Sequence, residues 1–153
     1  MAASAILATS GELNALTALV DDEGVDVTFK RRDGSRTLDV QVKSRFYDEG
    51  GSKALRKELR FIADIREATF RPRDDLFMLF VAVNAKEVEM GPVWFVPSIT
   101  LDENGIRLNP KSTGPQVRFD ASAKPNSKDK WRPYRMTKSD LPQAILEALK
   151  PGS

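Results

Sequence analysis

The chain has 153 residues, with 41% hydrophobic and 30% charged residues and a formal net charge of +2. That suits one globular domain, read as residues 1–153, able to bury a core without staples. It contains neither cysteine nor histidine, which excludes disulfides, thiolate sites, His-ligated zinc and every catalytic triad that needs an imidazole.

No apolar run approaches the roughly 20 residues that span a bilayer, so no membrane partner is expected. The start, MAASAILATSGEL, lacks a basic leader and meets Glu12 early. A signal peptide is not expected, and a reducing cytoplasm is the expected location.

Leu13, Leu16 and Val20 recur at helical spacing, which predicts a helix from about residue 3 or 10 to residue 21. Thr9-Ser10-Gly11-Glu12 fits a capping box at its start. Val25, Val27 and Phe29 then alternate with Asp26, Thr28 and Lys30. Leu38, Val40 and Val42 alternate with Asp39, Gln41 and Lys43. These are two half-buried strands, and Asp33-Gly34 between them signals a hairpin. A turn centred there sets Val27 against Val40, Thr28 against Asp39 and Asp26 against Gln41. Apolar then meets apolar and polar meets polar.

Ser44–Ser52 reads as a loop, and Ser52 to about Thr69 as an amphipathic helix with Leu55, Leu59 and Ile62 inward. Leu76–Val83 is an almost wholly apolar run, hence a buried central strand. Val93–Val96 is another strand, ended by Pro97. Turn residues dominate after Asp102, and residues 116–120 read as an edge strand. Residues 121–138 read as a basic loop or lid. Ser139 caps a last helix with Leu141, Ile145, Leu146 and Leu149 inward and Pro142 in its first turn. The order is α-β-β-α-β-β-(β)-α, a mixed α/β class with helices flanking one sheet.

A carboxylate, a second oxygen ligand and a lysine on one strand face are the minimal equipment for metal-assisted phosphodiester hydrolysis. Without His or Cys, a metal would be hard and oxygen-ligated, such as Mg²⁺ or Mn²⁺. Each residue also has a plainer reading. Glu12 reads equally as a member of the capping box alone, Asp26 and Lys43 as a cross-strand charge pair, and Asp39 as a solvated acid or as added charge beside Gln41.

In this arrangement Glu12, Asp26 and Gln41-Val42-Lys43 resemble the PD-(D/E)xK nuclease superfamily, with its restriction-endonuclease-like fold shared by Holliday-junction resolvases. The phrase VQVKSR is similar to a form found in its small bacterial domains. The resemblance covers roughly residues 10–97. It implies a Mg²⁺- or Mn²⁺-dependent endonuclease acting on DNA. Glu12, Asp26, Gln41 and Lys43 would form the catalytic set. Asp26, Gln41, the Val42 carbonyl and Glu12 would be metal ligands, and Lys43 would orient water and stabilise phosphate charge. The chain departs from the pattern at Gln41, where Glu or Asp is expected, and at Val25, where the eponymous proline stands.

Lys53, Arg56, Lys57 and Arg60 would form one basic helix face after the motif, either a nucleic-acid surface or a solvated one. Residues 124–138 hold Lys124, Lys128, Lys130, Arg132, Arg135 and Lys138 against Asp129 alone. Lys130, Trp131, Arg132 and Arg135 there read as nucleic-acid contacts, with Trp131 either stacking on bases or anchoring a long loop in the core.

The expected function is therefore a metal-dependent DNA nuclease. The alternatives are a catalytically degenerate nuclease-fold module that binds nucleic acid, and an interaction domain that binds a protein partner. Nucleases of this fold often pair as homodimers, though no exposed seam marks one in the sequence. DNA against RNA, substrate form, sequence specificity and pathway are not legible in it.

Overall fold

The apolar run at 76–83 forms the spine of the protein. A computed structural model describes residues 9–17, 24–34, 36–47, 59–84 and 89–150. In it that run is the strand β5 (Leu76–Asn84). Around it the chain supplies β1 (Leu13–Thr17), β2 (Val27–Arg31), β3 (Thr37–Phe46), β4 (Arg60–Arg66) and β6 (Glu89–Pro97). A helix α1 (Ser98–Asn104) follows, then β7 (Ile106–Leu108) and β8 (Gln116–Ser122). A 3₁₀ turn (Arg132–Tyr134), β9 (Arg135–Met136) and α2 (Leu141–Ala148) end the described chain.

Six strands form a mixed sheet in the order β1-β2-β3-β5-β6-β9, and three form a second sheet, β4-β8-β7. The class is mixed α/β, as expected. Among the described strands, only β3 and β5 run parallel. One face of the large sheet carries Met78, Phe80, Trp94 and Val96 against Phe61, Val117 and Phe119 of the small sheet and Trp131. Phe80 and Phe119 stack there with ring centroids 3.8 Å apart. The other face carries Leu38, Val40, Leu79 and Val93 against Leu141, Ile145, Leu146 and Leu149 of α2. The expected inward set of this helix is thus the buried one. Asp140, not Ser139, stands at its N-cap position. No helix among the described residues is long and apolar enough to cross a membrane.

The hairpin register is as expected, with Val27 opposite Val40 and Thr28 opposite Asp39. Several other elements differ. Residues 13–17 are a strand paired with β2, not a helix. Leu13 is buried and Leu16 is 60% exposed, so the helical spacing does not describe one buried face. The expected capping box is a turn in which Ser10 and Gly11 have φ of 53° and 80°, and Glu12 N–H donates to the Thr9 carbonyl. β3 runs on to Phe46 where a loop was expected. Residues 60–66 are a strand, not the end of a helix. Phe61, Ala63 and Ile65 alternate inward, and period two outweighs the Leu59–Ile62 spacing. The expected helical stretch 52–58 lies outside the described residues. β8 is the middle strand of its sheet, not an edge. α1 was not expected at all.

Residues 121–138 are not an open lid. Trp131 is 1% exposed inside the aromatic core. Arg135-Met136 pair with Trp94-Val93 at the edge of the large sheet. Asp129 accepts hydrogen bonds from the Ser122 and Trp131 amides and the Ser127 hydroxyl, at 2.9, 3.0 and 2.7 Å. Burial opposes its charge, but these bonds and the nearby Arg60 cation prevail and hold the carboxyl below its ordinary pKa.

Candidate active site

The polar strip of β3 sits where that strand outruns β2. Pairing between the two ends at Val27 and Val40, while β3 continues beside β5 to Phe46. Asp26 N–H still donates to the Val40 carbonyl, at 3.0 Å. The chain then turns away at Gly24, whose φ is +69°. A Cβ at Gly24 would lie 2.6 Å from Gln41 Nε2, so the turn presses against the Gln41 amide.

Asp26 is pinned to β3 by its side chain. Oδ2 accepts the Val42 amide N–H at 2.5 Å. In a strand the N–H and C=O of one residue point to the same edge, so the Val42 carbonyl faces the Asp26 edge too. Asp39, Gln41 and Lys43 share a single face of β3, two residues apart. Asp26, Gln41, Val42 and Lys43 thus come together midway along β3, at the edge that β2 leaves unpaired. Among the described residues no ion pair joins Asp26 to Lys43, so the cross-strand charge pair is not the arrangement adopted.

Glu12 is not brought to this cluster. Its carbonyl accepts the Arg32 amide at 2.9 Å, which sets it beside the far end of β2. Six residues of strand, about 20 Å, separate Arg32 from Asp26. Glu12 is exposed there and lines a shallow cleft with Arg31, Arg32 and Asp33.

Asp39 does not lend its charge to Gln41. Oδ1 accepts the Thr28 hydroxyl at 2.5 Å, and Oδ2 accepts Arg73 at 2.6 Å. Arg73 also reaches Asp75 at 2.9 Å, and its amide and carbonyl are both bound by the buried Ser98 hydroxyl. Asp39 therefore ties the hairpin to the loop before β5 and to α1. The Thr28 contact follows from the hairpin register. Nothing in the sequence marks Arg73, 34 residues away.

The oxygen donors are the Asp26 carboxylate, the Gln41 amide oxygen and the Val42 carbonyl. This donor chemistry fits a hard divalent cation such as Mg²⁺. It carries a single carboxylate, and the described residues contain no cluster of three or more acidic, His or Cys side chains able to hold a metal.

Of the expected nucleic-acid contacts, Lys53, Arg56 and Lys57 lie outside the described residues. Arg60 is paired with Asp120, with its Nε 2.8 Å from Oδ1. Lys130 reaches the Asn104 carbonyl and lies 5.3 Å from the Trp131 ring centroid. Trp131 itself is the core anchor, not a base-stacking surface. Arg132 donates to the Pro125 and Ser127 carbonyls at 2.9 and 2.7 Å. Arg135 donates to the Ala123 and Lys124 carbonyls, both at 3.0 Å.

No family profile and no curated protein sequence matches the chain. Among solved structures it is similar to a bacterial homing endonuclease, I-Ssp6803I, with a TM-score of 0.51 and 20% identity over 97% of this chain and 88% of that one. At that identity the likeness concerns the fold alone: this chain has the fold of a nuclease.

Proposed function

We propose that the protein is a metal-dependent nuclease that hydrolyses DNA phosphodiesters, built on a PD-(D/E)xK-type site in which Gln41 takes the second acidic position. The observation that carries this reading is the fastening of Asp26 to the Val42 amide. It sets one carboxylate beside Gln41, with Lys43 one step further along the same strand. The fold likeness to a homing endonuclease supports it.

Asp26, Gln41 and the Val42 carbonyl would hold Mg²⁺ or Mn²⁺. When bound, such an ion would supply Lewis acidity for the phosphoryl oxygen and for an attacking water. Asp26 Oδ2 is already oriented by the Val42 amide, so little reorganisation is needed when the carboxylate takes up its load. The Gln41 amide lies beside the Gly24 turn, where only a glycine leaves it room. Lys43 places a cation where negative charge grows on the phosphate and donates to the water or to a phosphate oxygen. Positioning and electrostatics are most of what such a transfer requires.

The reading is tested by incubating the protein with mixed DNA substrates and Mg²⁺ or Mn²⁺. Asp26→Ala and Lys43→Ala should each lower the cleavage rate by about 100-fold or more. Undiminished cleavage by either variant overturns the assignment.

A second reading is favoured by the single carboxylate among the donors. In it the fold is retained as a nucleic-acid-binding module that does not cut. Calorimetric titration separates the two. Absence of any Mg²⁺ or Mn²⁺ binding at millimolar concentration, with salt-dependent DNA binding intact, selects the module. Heat from wild type that vanishes in Asp26→Ala selects the nuclease.

A further inference from the structure

The candidate site lies midway along β3, just past the point where β2 stops pairing with it. A groove of about 630 Å³ opens on the far edge of the sheet, formed by β6 and β9. Register gives the distance between the two places, across Phe80 and Trp94, which are buried beneath the small sheet. Lys43 pairs with Phe80, Phe80 with Trp94, and Trp94 with Arg135. Three strand spacings set the Lys43 and Arg135 backbones about 14 Å apart. The groove is lined by Gly91 and Pro92 on one side and by Arg132, Arg135 and Lys138 on the other. Between site and groove, Tyr47 lies against Gly91, where an added Cβ would meet its ring at 3.0 Å.

Among the described residues, none of Arg132, Arg135 and Lys138 is paired with an acid. The acid that lines the groove is Asp140, whose Oδ2 accepts the Thr137 amide and hydroxyl at 3.1 and 2.6 Å. Burial, then the like charge of Arg132, lower the Arg135 pKa from its ordinary value, against a smaller pull from Asp129. The two guanidinium groups are fixed by carbonyls that hold them in place without cancelling their charge. No aromatic face is offered: Trp131 is buried, and Tyr134 packs against the core.

We propose that this groove is a preformed track for the sugar-phosphate backbone of duplex DNA, holding the substrate away from the phosphate that Lys43 would face. The choice of polymer rests on the nuclease reading. The segment 123–138 is then a fixed rail and not a lid that closes. Contact is through phosphate charge without base stacking, so single strands gain nothing here from aromatic faces.

The test is fluorescence anisotropy with a labelled duplex of about 20 base pairs, in chelator, between about 50 and about 200 mM salt. Lys138→Glu changes an exposed side chain that bears no fold contact named here. Lys111→Glu, on an exposed turn away from the groove, makes the same change of charge. Lys138→Glu should weaken binding about 10-fold and flatten the salt slope by about one unit, while Lys111→Glu leaves both near wild type. Equal losses in the two variants, no loss in either, tighter binding to a single strand of the same length, or no duplex binding by wild type each overturns the track. If Lys138→Glu binds and cleaves like wild type, the track fails and the nuclease reading stands. If binding follows Lys138 but no cleavage depends on Asp26 or Lys43, the nuclease reading fails and the track stands.

Discussion

Two arginine-rich regions of this molecule look alike in sequence and behave differently in the fold. On the outer face of the small sheet, Arg118 forks onto Asp64 at 2.7 and 2.9 Å and Arg60 meets Asp120, and at its β7 edge Arg107 meets both Glu67 and Asp102. Those carboxylates raise the Arg118 and Arg107 pKa values through hydrogen bonds first and charge second, with burial working against them. Around residues 123–136, Arg132 and Arg135 meet carbonyl oxygens instead. An acid partner cancels the field that a polyanion would feel, whereas a carbonyl positions the cation and leaves its charge standing. The difference teaches that a basic residue counts toward a nucleic-acid surface only after its partner is known.

The comparison is broken most forcefully at Trp131. If the segment 123–136 is a rail, its anchor is this indole, packed on Phe119 with centroids 4.8 Å apart. Trp131→Ala should cost about 3–5 kcal/mol of stability, measured by chemical denaturation. The opposite outcome, unchanged stability with weakened DNA binding, would make Trp131 a base-stacking residue and the rail a lid.

Trp131 also marks the limit of what the sequence discloses. The hairpin was legible because Val27, Phe29, Leu38 and Val40 alternate strictly about Asp33-Gly34, and a one-residue slip would bury Asp39 and Thr28. β5 was legible because its apolar run needs burial on both faces. The first element was misread because Leu13, Leu16 and Val20 fit a helical period, yet only pairing with β2 decides that Leu13 is buried and Leu16 exposed. The same spacing in Leu59 and Ile62 hid the alternation of Phe61, Ala63 and Ile65. At the site, Asp26, Gln41 and Lys43 could be placed by register alone. The displacement of Glu12 and the capture of Asp39 by Arg73 depend on long-range contacts that no local pattern encodes. Gly24 was also overlooked, although a glycine just before a strand is a signal for a backbone turn of this kind.

Asp129 sharpens the comparison with a smaller effect. It is the internal acid of the rail, and it is spent on amides and a hydroxyl, not on Arg132 or Arg135. Asp129→Ala should cost about 2 kcal/mol, because two backbone donors lose a charged acceptor in a half-buried place. Its folded pKa lies below the ordinary carboxylate value. Its contribution is therefore complete at neutral pH and is lost as pH falls from the unfolded carboxylate pKa through the lower folded one. Asp129→Asn keeps an acceptor and removes the titration. Its urea midpoint should vary less with pH than that of wild type across the acid range. An equally steep acid loss in Asp129→Asn would show that other carboxylates carry the pH dependence.

The smallest effect belongs to the outer face of the small sheet, and it is the one that isolates charge cancellation. Arg118 and Asp64 are each about one-third exposed, with side-chain exposures of 34% and 33%. An exposed pair of this kind is worth about 0.5 kcal/mol even with forked geometry. Arg118→Gln should lower stability by about that amount. Because Asp64 already cancels Arg118, the same substitution should leave the salt slope of DNA binding unchanged. Removing the acid is the more revealing change. Asp64→Asn removes the forked partner of Arg118, which lines none of the grooves described above. If free arginine charge alone made a DNA surface, Asp64→Asn would tighten duplex binding and steepen its salt dependence. If the surface also needs a cleft and a fixed geometry, as at Arg132 and Arg135, binding should stay where it was. A measurable gain in affinity from Asp64→Asn would therefore reduce the contrast between the two regions to bookkeeping of charge, and an unchanged isotherm would leave shape as the deciding factor.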